Sequence, residues 1–437
     1  MTLLRNDIIE RGALTVVVGS GSSGLAAARL LSRLGAWVRV LDRKEDGFGP
    51  DFRREAAENG WELIGGPHTP TQFEGAALVI PSPGVPMKVL EPLLSTAGNP
   101  FCLSELELAA RFCPESCIAV TGTSGKTTTV SLMAAMLEAA GKKVFLGGNI
   151  GTPLSEYVLQ REDGRFPGGA ADVLVLEVSS FQLQGCREFH PHVAVLLNLS
   201  ENHLDQHKDM DEYREAKFAL FSKQTPGDLA IFGQALLPEA QRRGLAARLA
   251  TFTDSGAFSK SRLLGGHNRL NMEAAFLAVR EYGVTLEQAR QAAETFAPMP
   301  HRLESVREFD GVLYVNDSKC TTVEAMRVAL ESFDRPVLLM AGGVFKGGDL
   351  QSLRPLLQDK VKAVGLYGAS REIFTEAWQG ATPLDWHETM SDALNALRAM
   401  STSGDVVLLA PGTSSFDQYA NYKERGKDFK KLVEDLQ

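Results

Sequence analysis

Short, largely apolar runs recur along this chain, separated by longer stretches with helical spacing. Residues 13–18, 37–41, 118–120, 173–178, 193–199 and 229–232 read as strands, as do 312–315, 337–340, 363–367 and 406–409. Residues 25–34 and 127–140 read as helices, and Gly141 and Gly283 stand where helical patterns stop. A strand without polar alternation is buried on both faces, which points to parallel sheets covered by helices on either side. The pattern restarts near residue 118 and again near 312. A chain of 437 residues holds about three domains at roughly 150 residues each. Pro81-Ser82-Pro83-Gly84-Val85-Pro86 is a turn-rich break inside the first block, and Ala297-Pro298-Met299-Pro300 reads as a linker into the third. Residues 164–169 read as a flexible surface loop.

Lysine and arginine number 45 against 54 aspartates and glutamates, a formal charge of −9. An acidic chain without a basic stripe does not neutralise a phosphate backbone, so nucleic-acid binding is not expected. A local site for an anionic small molecule remains compatible with this charge. The five cysteines (Cys102, Cys113, Cys117, Cys186 and Cys320) are scattered and odd in number. That suits a reducing compartment without a disulfide framework. Cys113 and Cys117 have the look of half a metal site, but no second pair follows. The first residues mix charges with aliphatics and do not read as a secretory signal. No apolar run approaches the roughly 18 residues of a membrane span. The expected setting is cytoplasmic, without membrane insertion.

Two glycine loops carry the first chemical signals. Gly19-Ser20-Gly21-Ser22-Ser23-Gly24 follows a strand and opens a helix, the arrangement of a dinucleotide fingerprint. Asp42 ends the next strand, where an NAD ribose partner stands. A different diphosphate ligand served by Arg43 is the competing reading, and a structural glycine turn is a third. The second loop, Thr121-Gly122-Thr123-Ser124-Gly125-Lys126-Thr127-Thr128, also joins a strand to a helix. Val120 stands where the strict P-loop has glycine, but Gly125-Lys126-Thr127 is intact. It offers backbone N–H groups and Lys126 to phosphates, and the Thr127 hydroxyl to Mg²⁺. ATP or GTP binding is expected here. An enzyme that activates one nucleotide-linked substrate with another nucleotide uses both loops.

Glu177 ends the strand of the P-loop block, in Glu177-Val178-Ser179-Ser180-Phe181-Gln182, and is placed to hold Mg²⁺. A solvated strand-end glutamate is the plain alternative. His203 and Asp205, in Asn202-His203-Leu204-Asp205, follow another strand end. His203 and His207 are spaced as on one helix face, but the H-E-x-x-H zinc pattern is absent.

With Tyr213-Arg214-Glu215-Ala216-Lys217, Gly266-His267-Asn268-Arg269-Leu270-Asn271, Pro300-His301-Arg302 and Asn316-Asp317-Ser318-Lys319, these motifs stand in the order of the Mur ligases. The resemblance covers essentially the whole chain. The first glycine loop, Ser82-Pro83-Gly84 and the ending Ala410-Pro411-Gly412-Thr413-Ser414-Ser415-Phe416-Asp417-Gln418 resemble most the members that add D-glutamate. The D-N-P-R stretch of the meso-diaminopimelate-adding members is absent. The resemblance implies a Rossmann-like UDP-binding domain at 1–102. It implies a central ATP-binding domain with a P-loop ATPase-type sheet, parallel or mixed, at 103–298. A Rossmann-like amino-acid-binding domain at 299–437 completes the α/β chain.

The implied reaction is an ATP-dependent amide ligation of D-glutamate to UDP-N-acetylmuramoyl-L-alanine in bacterial cytoplasmic peptidoglycan precursor synthesis. A carboxylate is not electrophilic, so ATP converts it to an acyl phosphate. The D-glutamate amine then attacks, and a tetrahedral intermediate expels phosphate. By resemblance, Gly122, Thr123, Ser124, Gly125, Lys126, Thr127 and Thr128 cradle the ATP phosphates, and Asn268 and Asn271 contact adenine. Arg302, Asp317 and Lys319 close on phosphates and ribose. One Mg²⁺ falls to Thr127 and Glu177, and a second to His203 and Lys217, the lysine being carbamylated by CO₂. An exposed helix lysine is the plain alternative for Lys217. Lys126, His203, Lys217 and Lys319 are the implied catalytic residues.

Ser22, Ser23, Asp42, Arg43, Ser82, Gly84 and Asn149 correspond to the UDP-sugar site, and Thr321, Lys346, Ser415 and Tyr422 to the D-glutamate pocket. A lysine with hydroxyls suits a dicarboxylate, while a helix N-cap is the plain alternative for Thr321. Asn202 stands where many relatives have aspartate, Val344 and Phe345 where some have Asp-Gly, and Tyr422 where phenylalanine occurs. A monomer that closes on ATP is expected. The rivals are a family member adding L-alanine or a diamino acid, an NAD-dependent dehydrogenase, and a non-catalytic nucleotide-binding homologue.

Overall fold

The computed structural model describes residues 9–201 and 206–436. Three sheets organise them. The first is built from Leu14–Val18 (β1), Trp37–Asp42 (β2), Glu62–Gly65 (β3), Leu78–Pro81 (β4) and Phe101–Cys102 (β5), in the order β3-β2-β1-β4-β5. Ser116–Thr121 (β6), Val144–Gly148 (β7), Val173–Glu177 (β8), Val193–Leu196 (β9), Leu229–Gly233 (β10) and Arg248–Phe252 (β11) form the second, ordered β11-β10-β9-β6-β8-β7. Both are parallel throughout. The third contains Glu304–Phe309 (β12), Val312–Asn316 (β13), Val337–Gly342 (β14), Val361–Tyr367 (β15), Leu384–His387 (β16) and Val406–Leu409 (β17). Its order is β12-β13-β17-β14-β15-β16.

The aliphatic runs are buried as their composition demands. Val16, Val17 and Val18 of β1 and Ile118, Ala119 and Val120 of β6 are fully buried. Each such Val or Ile stabilises by roughly 1.5–3 kcal/mol against exposure. The third sheet departs from the all-parallel expectation at β12, which pairs antiparallel with β13. Asp310 (φ 53°) and Gly311 (φ 76°) both take the left-handed conformation between these strands. An Asp-Gly pair suits this tight hairpin turn, whose twist matches that of the flanking strands.

The described residues up to Ala257, with Leu270–Ala293, form one compact unit; Phe258–Arg269 and Glu294 onward form a second. Within the first unit a single apolar cluster runs from Val17, Leu30 and Val40 through Leu103 and Leu106 to Tyr157, Leu176 and Phe232. The helix Ser22–Arg33 packs on the helix Leu154–Glu162, and its run of small residues, Ala26, Ala27 and Ala28, is buried. Arg29 pairs with Glu156 at 3.1 Å and Arg33 with Asp163 at 2.8 Å across the same contact. The second unit has its own clusters on the two faces of its sheet, around Leu339 and Trp378 and around Met340 and Phe429. The glycine-rich segment at 164–169 is anchored by Phe166, which stacks edge-on against Tyr157 at 5.0 Å.

Candidate active site

Gly122-Thr123-Ser124-Gly125 alone separates β6 from the helix Lys126–Ala139. Gly125 caps that helix at φ 84°, and a Cβ there would lie 2.5 Å from Asn271 Oδ1. Backbone hand and close approach both require glycine. Asn198, just beyond β9, braces the loop: its Oδ1 accepts from the Ser124 amide at 2.9 Å, and its Nδ2 donates to Ser124 O at 3.2 Å. Lys126 Nζ reaches back over the loop to Gly122 O (2.8 Å) and Thr123 O (3.1 Å). Helix-start amides with a lysine above them make an anion cradle. Thr128 follows in the helix, half-buried.

β8 lies beside β6 and delivers Glu177, 3% exposed, to this loop. Thr127 Oγ1 donates to Glu177 Oε2 at 2.7 Å, and Asn149 Nδ2 donates to Oε1 at 2.8 Å. Glu177 is therefore no solvated strand-end residue. A hydroxyl beside a carboxylate is a hard-oxygen donor set, which suits Mg²⁺. Among the described residues, no group of three or more His, Cys, Asp or Glu is gathered for a metal. A cation held by Thr127 and Glu177 would complete its shell with phosphate oxygens and water, as Mg²⁺ commonly does.

Lys217 comes from the helix Met210–Phe218 and is 2% exposed. Its Nζ donates to Thr121 Oγ1 (3.3 Å) and Gly122 O (3.1 Å) and lies 4.6 Å over the Tyr213 ring. Burial pulls its basicity well below that of an ordinary lysine, the Lys126 charge adds to this, and Glu177 opposes it. An ammonium cannot ligate a metal, whereas a neutral amine is nucleophilic. The plain alternative, an exposed helix lysine, does not hold: the helix turns Lys217 into the core beside β6. Asn202, His203 and Asp205 lie outside the described residues. His207 is buried, with Nε2 2.9 Å from Ser180 Oγ and its ring stacked on Phe181.

The first glycine loop leaves β1 where the strand order reverses, between β2 and β4, the usual ligand crevice of such sheets. A Cβ on Gly24 would lie 2.0 Å from Gly19 O, so glycine lets the helix start pack on the loop. Ser82 Oγ, beyond β4, is 3.4 Å from Gly19 O. Ser22 and Ser23 open the helix, and Arg43 and Gly84 are exposed. Asp42 serves its own loop: Oδ2 accepts from Ser20 N (3.0 Å) and Ser20 Oγ (2.6 Å), and Oδ1 from the Lys44 amide (3.0 Å). Burial pushes this carboxyl up, but hydrogen bonds from Ser20 and Lys44 outweigh it and hold it below the usual range. Asn149, expected with this group, donates to Glu177. A narrow cleft joins Ser82, Pro83 and Val85 to Ser104, Phe181 and Gln182. Gln182 Nε2 is buried there without a partner among the described residues.

Asn268 and Asn271 lie on the helix Gly266–Val279 and are buried; Asn268 Nδ2 donates to Leu264 O at 2.7 Å. In the second unit, Asp317 follows β13. Its Oδ1 accepts from the Leu303 amide at 3.2 Å, and burial pushes its carboxyl up to about 7 against the pull of that bond and of Arg302. Lys319 Nζ lies 4.2 Å over the Tyr422 ring. Lys346 is exposed, with Nζ 5.9 Å over the ring of Phe416, and Ser415 is buried. Thr321 is not a helix cap; Thr322 caps the helix Val323–Glu331 by accepting from the Ala325 amide. Val344 pairs antiparallel with Ser414 through bonds of 2.9 and 3.1 Å, so the loop at Val344-Phe345 is tied to the chain ending.

All five cysteines are free. Cys113 and Cys117 line a cavity of about 240 Å³, and burial pushes both thiols up, away from ligand chemistry. Sequence reasoning missed Asn198 and Arg425 as organising residues. Arg425 is fully buried in the helix Tyr422–Glu434. It hides among charged neighbours that read as a wet face, and Gly426, where a Cβ would meet His301 Nδ1 at 2.2 Å, was the available signal of close packing.

The model of the Mur ligase middle domain matches residues 120–236, that of the Mur ligase glutamate ligase domain matches 301–413, and an NAD(P)-binding Rossmann-like domain matches 17–77. The UDP-N-acetylmuramoylalanine–D-glutamate ligase of Nitratidesulfovibrio vulgaris strain Miyazaki F is 58% identical over 435 residues, covering 98% of both chains. The enzyme of that name from Oleidesulfovibrio alaskensis is 56% identical over 425 residues, 97% of this chain and 94% of that one. Among solved structures, the MurF ligase of Thermotoga maritima in complex with ADP matches with a TM-score of 0.60. Its identity is 21%, covering 91% of this chain and 95% of that one, a likeness of fold. Matched domain by domain and along its whole length, this chain belongs to the Mur ligase family.

Proposed function

We propose that this protein is an ATP-dependent ligase that joins D-glutamate to the lactoyl-alanine carboxylate of UDP-N-acetylmuramoyl-L-alanine. The observation that carries the reading is the cluster at the end of β6, where Lys126, Thr127, Glu177 and a buried Lys217 converge. Lys126 and the loop amides orient the γ-phosphate and offset the charge that grows as it transfers. Thr127 and Glu177 are the residues for Mg²⁺, which supplies charge neutralisation between phosphate oxygens. Lys217 is held where its amine loses its proton readily, the condition for carbamylation by CO₂; as a carbamate it becomes an oxygen ligand. The first loop with Ser82 takes the UDP end of the substrate. The loops after β13, β14 and β17, with Thr321, Lys346 and Ser415, take the amino acid. The domains are assigned as 1–102, 103–298 and 299–437, and the protein as a cytoplasmic monomer; no helix among the described residues is long and apolar enough to cross a membrane.

Phosphate release with UDP-N-acetylmuramoyl-L-alanine, ATP and Mg²⁺ tests this directly. D-glutamate is expected to stimulate it; stimulation by L-lysine and not D-glutamate refutes the assignment. Lys217→Ala is expected to lower turnover at least about 100-fold, the scale of a lost charge-stabilising group, and full activity in it removes the carbamate from the mechanism. The dehydrogenase reading is disfavoured because both oxygens of Asp42 are engaged by its own loop.

A further inference from the structure

Arg425 is a buried cation whose hydrogen bonds all go to neutral oxygens. Its Nη2 donates to Ser318 O at 2.9 Å and to Thr413 O at 3.0 Å, its Nε to Ser318 Oγ at 3.0 Å, and its Nη1 to Gly342 O at 3.5 Å. Among the described residues it forms no ion pair. Burying a guanidinium without a carboxylate carries a large desolvation penalty, so packing alone does not explain it.

The acceptors explain it better. β13, β17 and β14 are neighbours in the sheet, and Ser318, Thr413 and Gly342 stand at their carboxyl ends. One planar fork with five N–H donors ties all three together through four bonds, more than the three donors at a lysine's single nitrogen supply. Further bonds close the knot. Ser318 Oγ donates to Tyr422 O at 2.8 Å, and Thr413 Oγ1 to Gly342 O at 2.5 Å. Ser370 Oγ donates to Gly343 O at 2.6 Å while accepting from the Phe345 amide at 2.9 Å. The segments that leave this knot carry Lys319 and Thr321, Ser415, and Lys346.

We infer that Arg425 is the positioning residue of the amino-acid pocket: it sets the three strand-end loops against one another and leaves its positive charge beneath a site for an anionic substrate. This rests on the reading of those loops as the D-glutamate pocket. A hydrophobic side chain of similar reach would fill the space without the cross-link or the charge, and lysine would keep the charge alone.

The test is steady-state kinetics of the full-length enzyme as wild type, Arg425→Lys and Arg425→Met, with amino acid and UDP-substrate varied in turn. For Arg425→Met the KM for the amino acid is expected to rise at least about tenfold, the loss of roughly one charge-assisted hydrogen bond. The KM for the UDP-substrate should stay within about twofold, because the first glycine loop lies in the other unit. Arg425→Lys should recover part of the loss. Equal rises in both KM values, a fall in kcat alone, or lysine behaving no better than methionine overturns the inference. Should Arg425→Met fail to fold, Ser318→Ala decides. It removes one acceptor, and its amino-acid KM must rise while that of the UDP-substrate does not. The wild type is first run against D-glutamate, L-alanine, L-lysine and meso-diaminopimelate. Activity with another of these defeats the D-glutamate reading, while Arg425 is then judged on the KM of the amino acid that is used.

Discussion

Asp317 carries an acidity that its sequence neighbours do not explain. A free aspartate titrates near 3.8, whereas burial in the second unit pushes this one up to about 7. The folded chain thus holds the proton more tightly than the unfolded chain. The stability this confers is present below about 3.8 and is lost as pH rises through about 7. Asp317→Asn keeps the acceptor for the Leu303 amide and removes the titration. The Tm of the second unit should match the wild type near pH 4 and exceed it at pH 8 by roughly 2–8 °C, the effect of 1–2 kcal/mol in a unit of this size. A Tm difference that is flat with pH, followed by thermal denaturation, counts against this account. The aspartate was legible as a motif member, but its surroundings were not, because the Leu303 amide reaches it from outside the motif.

Elements were legible according to their burial. The strands read from the sequence are β1, β2, β6, β8, β9, β10, β13, β14, β15 and β17, all with neighbours on both sides. Those not read include every sheet edge: β3, β5, β7, β11, β12 and β16. An edge strand has one partner and more solvent, so it needs no continuous aliphatic run. β4 is internal but short, and it was hidden by Pro81 in a turn-rich stretch. The Asp310-Gly311 pair is a readable hairpin signal, but β12 beside it (Glu304–Phe309) has no aliphatic run to mark it as a strand. Loop chemistry belongs to this scale too. Gly125→Ala forces a side chain into a left-handed position, at about 1–2 kcal/mol, and into Asn271 Oδ1. Calorimetric titration with ADP should show affinity lowered at least about tenfold. Gly141→Ala is the control: Gly141 has a similar φ, 79°, with nothing within 4 Å of its Cβ. It should lose stability and keep ADP affinity.

At the scale of the molecule, the chain length allowed three domains and the described residues form three sheets, but the first two share one core. Scanning calorimetry should therefore resolve two transitions, with the first and second sheets melting together. Arg29→Ala removes the contacts to Glu55 and Glu156 and should lower that shared transition alone by roughly 2–4 °C, about 1 kcal/mol. Three separate transitions, or a shift in the other one, would contradict a shared core. The formal charge of −9 also takes on meaning at this scale. In a chain of that sign an anionic ligand depends on few, local cations, and Lys126, folded back over the loop after β6, is one of them.

Residue order alone carries the α/β class, every inner strand but β4, both glycine loops and the order of the ligase motifs. Each of these rests on residues adjacent along the chain or on a short period. Which of them meet is settled by the fold. Thr127 and Glu177 are 50 residues apart, Lys217 and Thr121 are 96 apart, and Arg425 and Ser318 are 107 apart. Desolvation and long-range hydrogen bonds arise only when such segments close on one another. That is why the lowered basicity of Lys217 and the bridging role of Arg425 appear in the fold and nowhere in the spacing of residues.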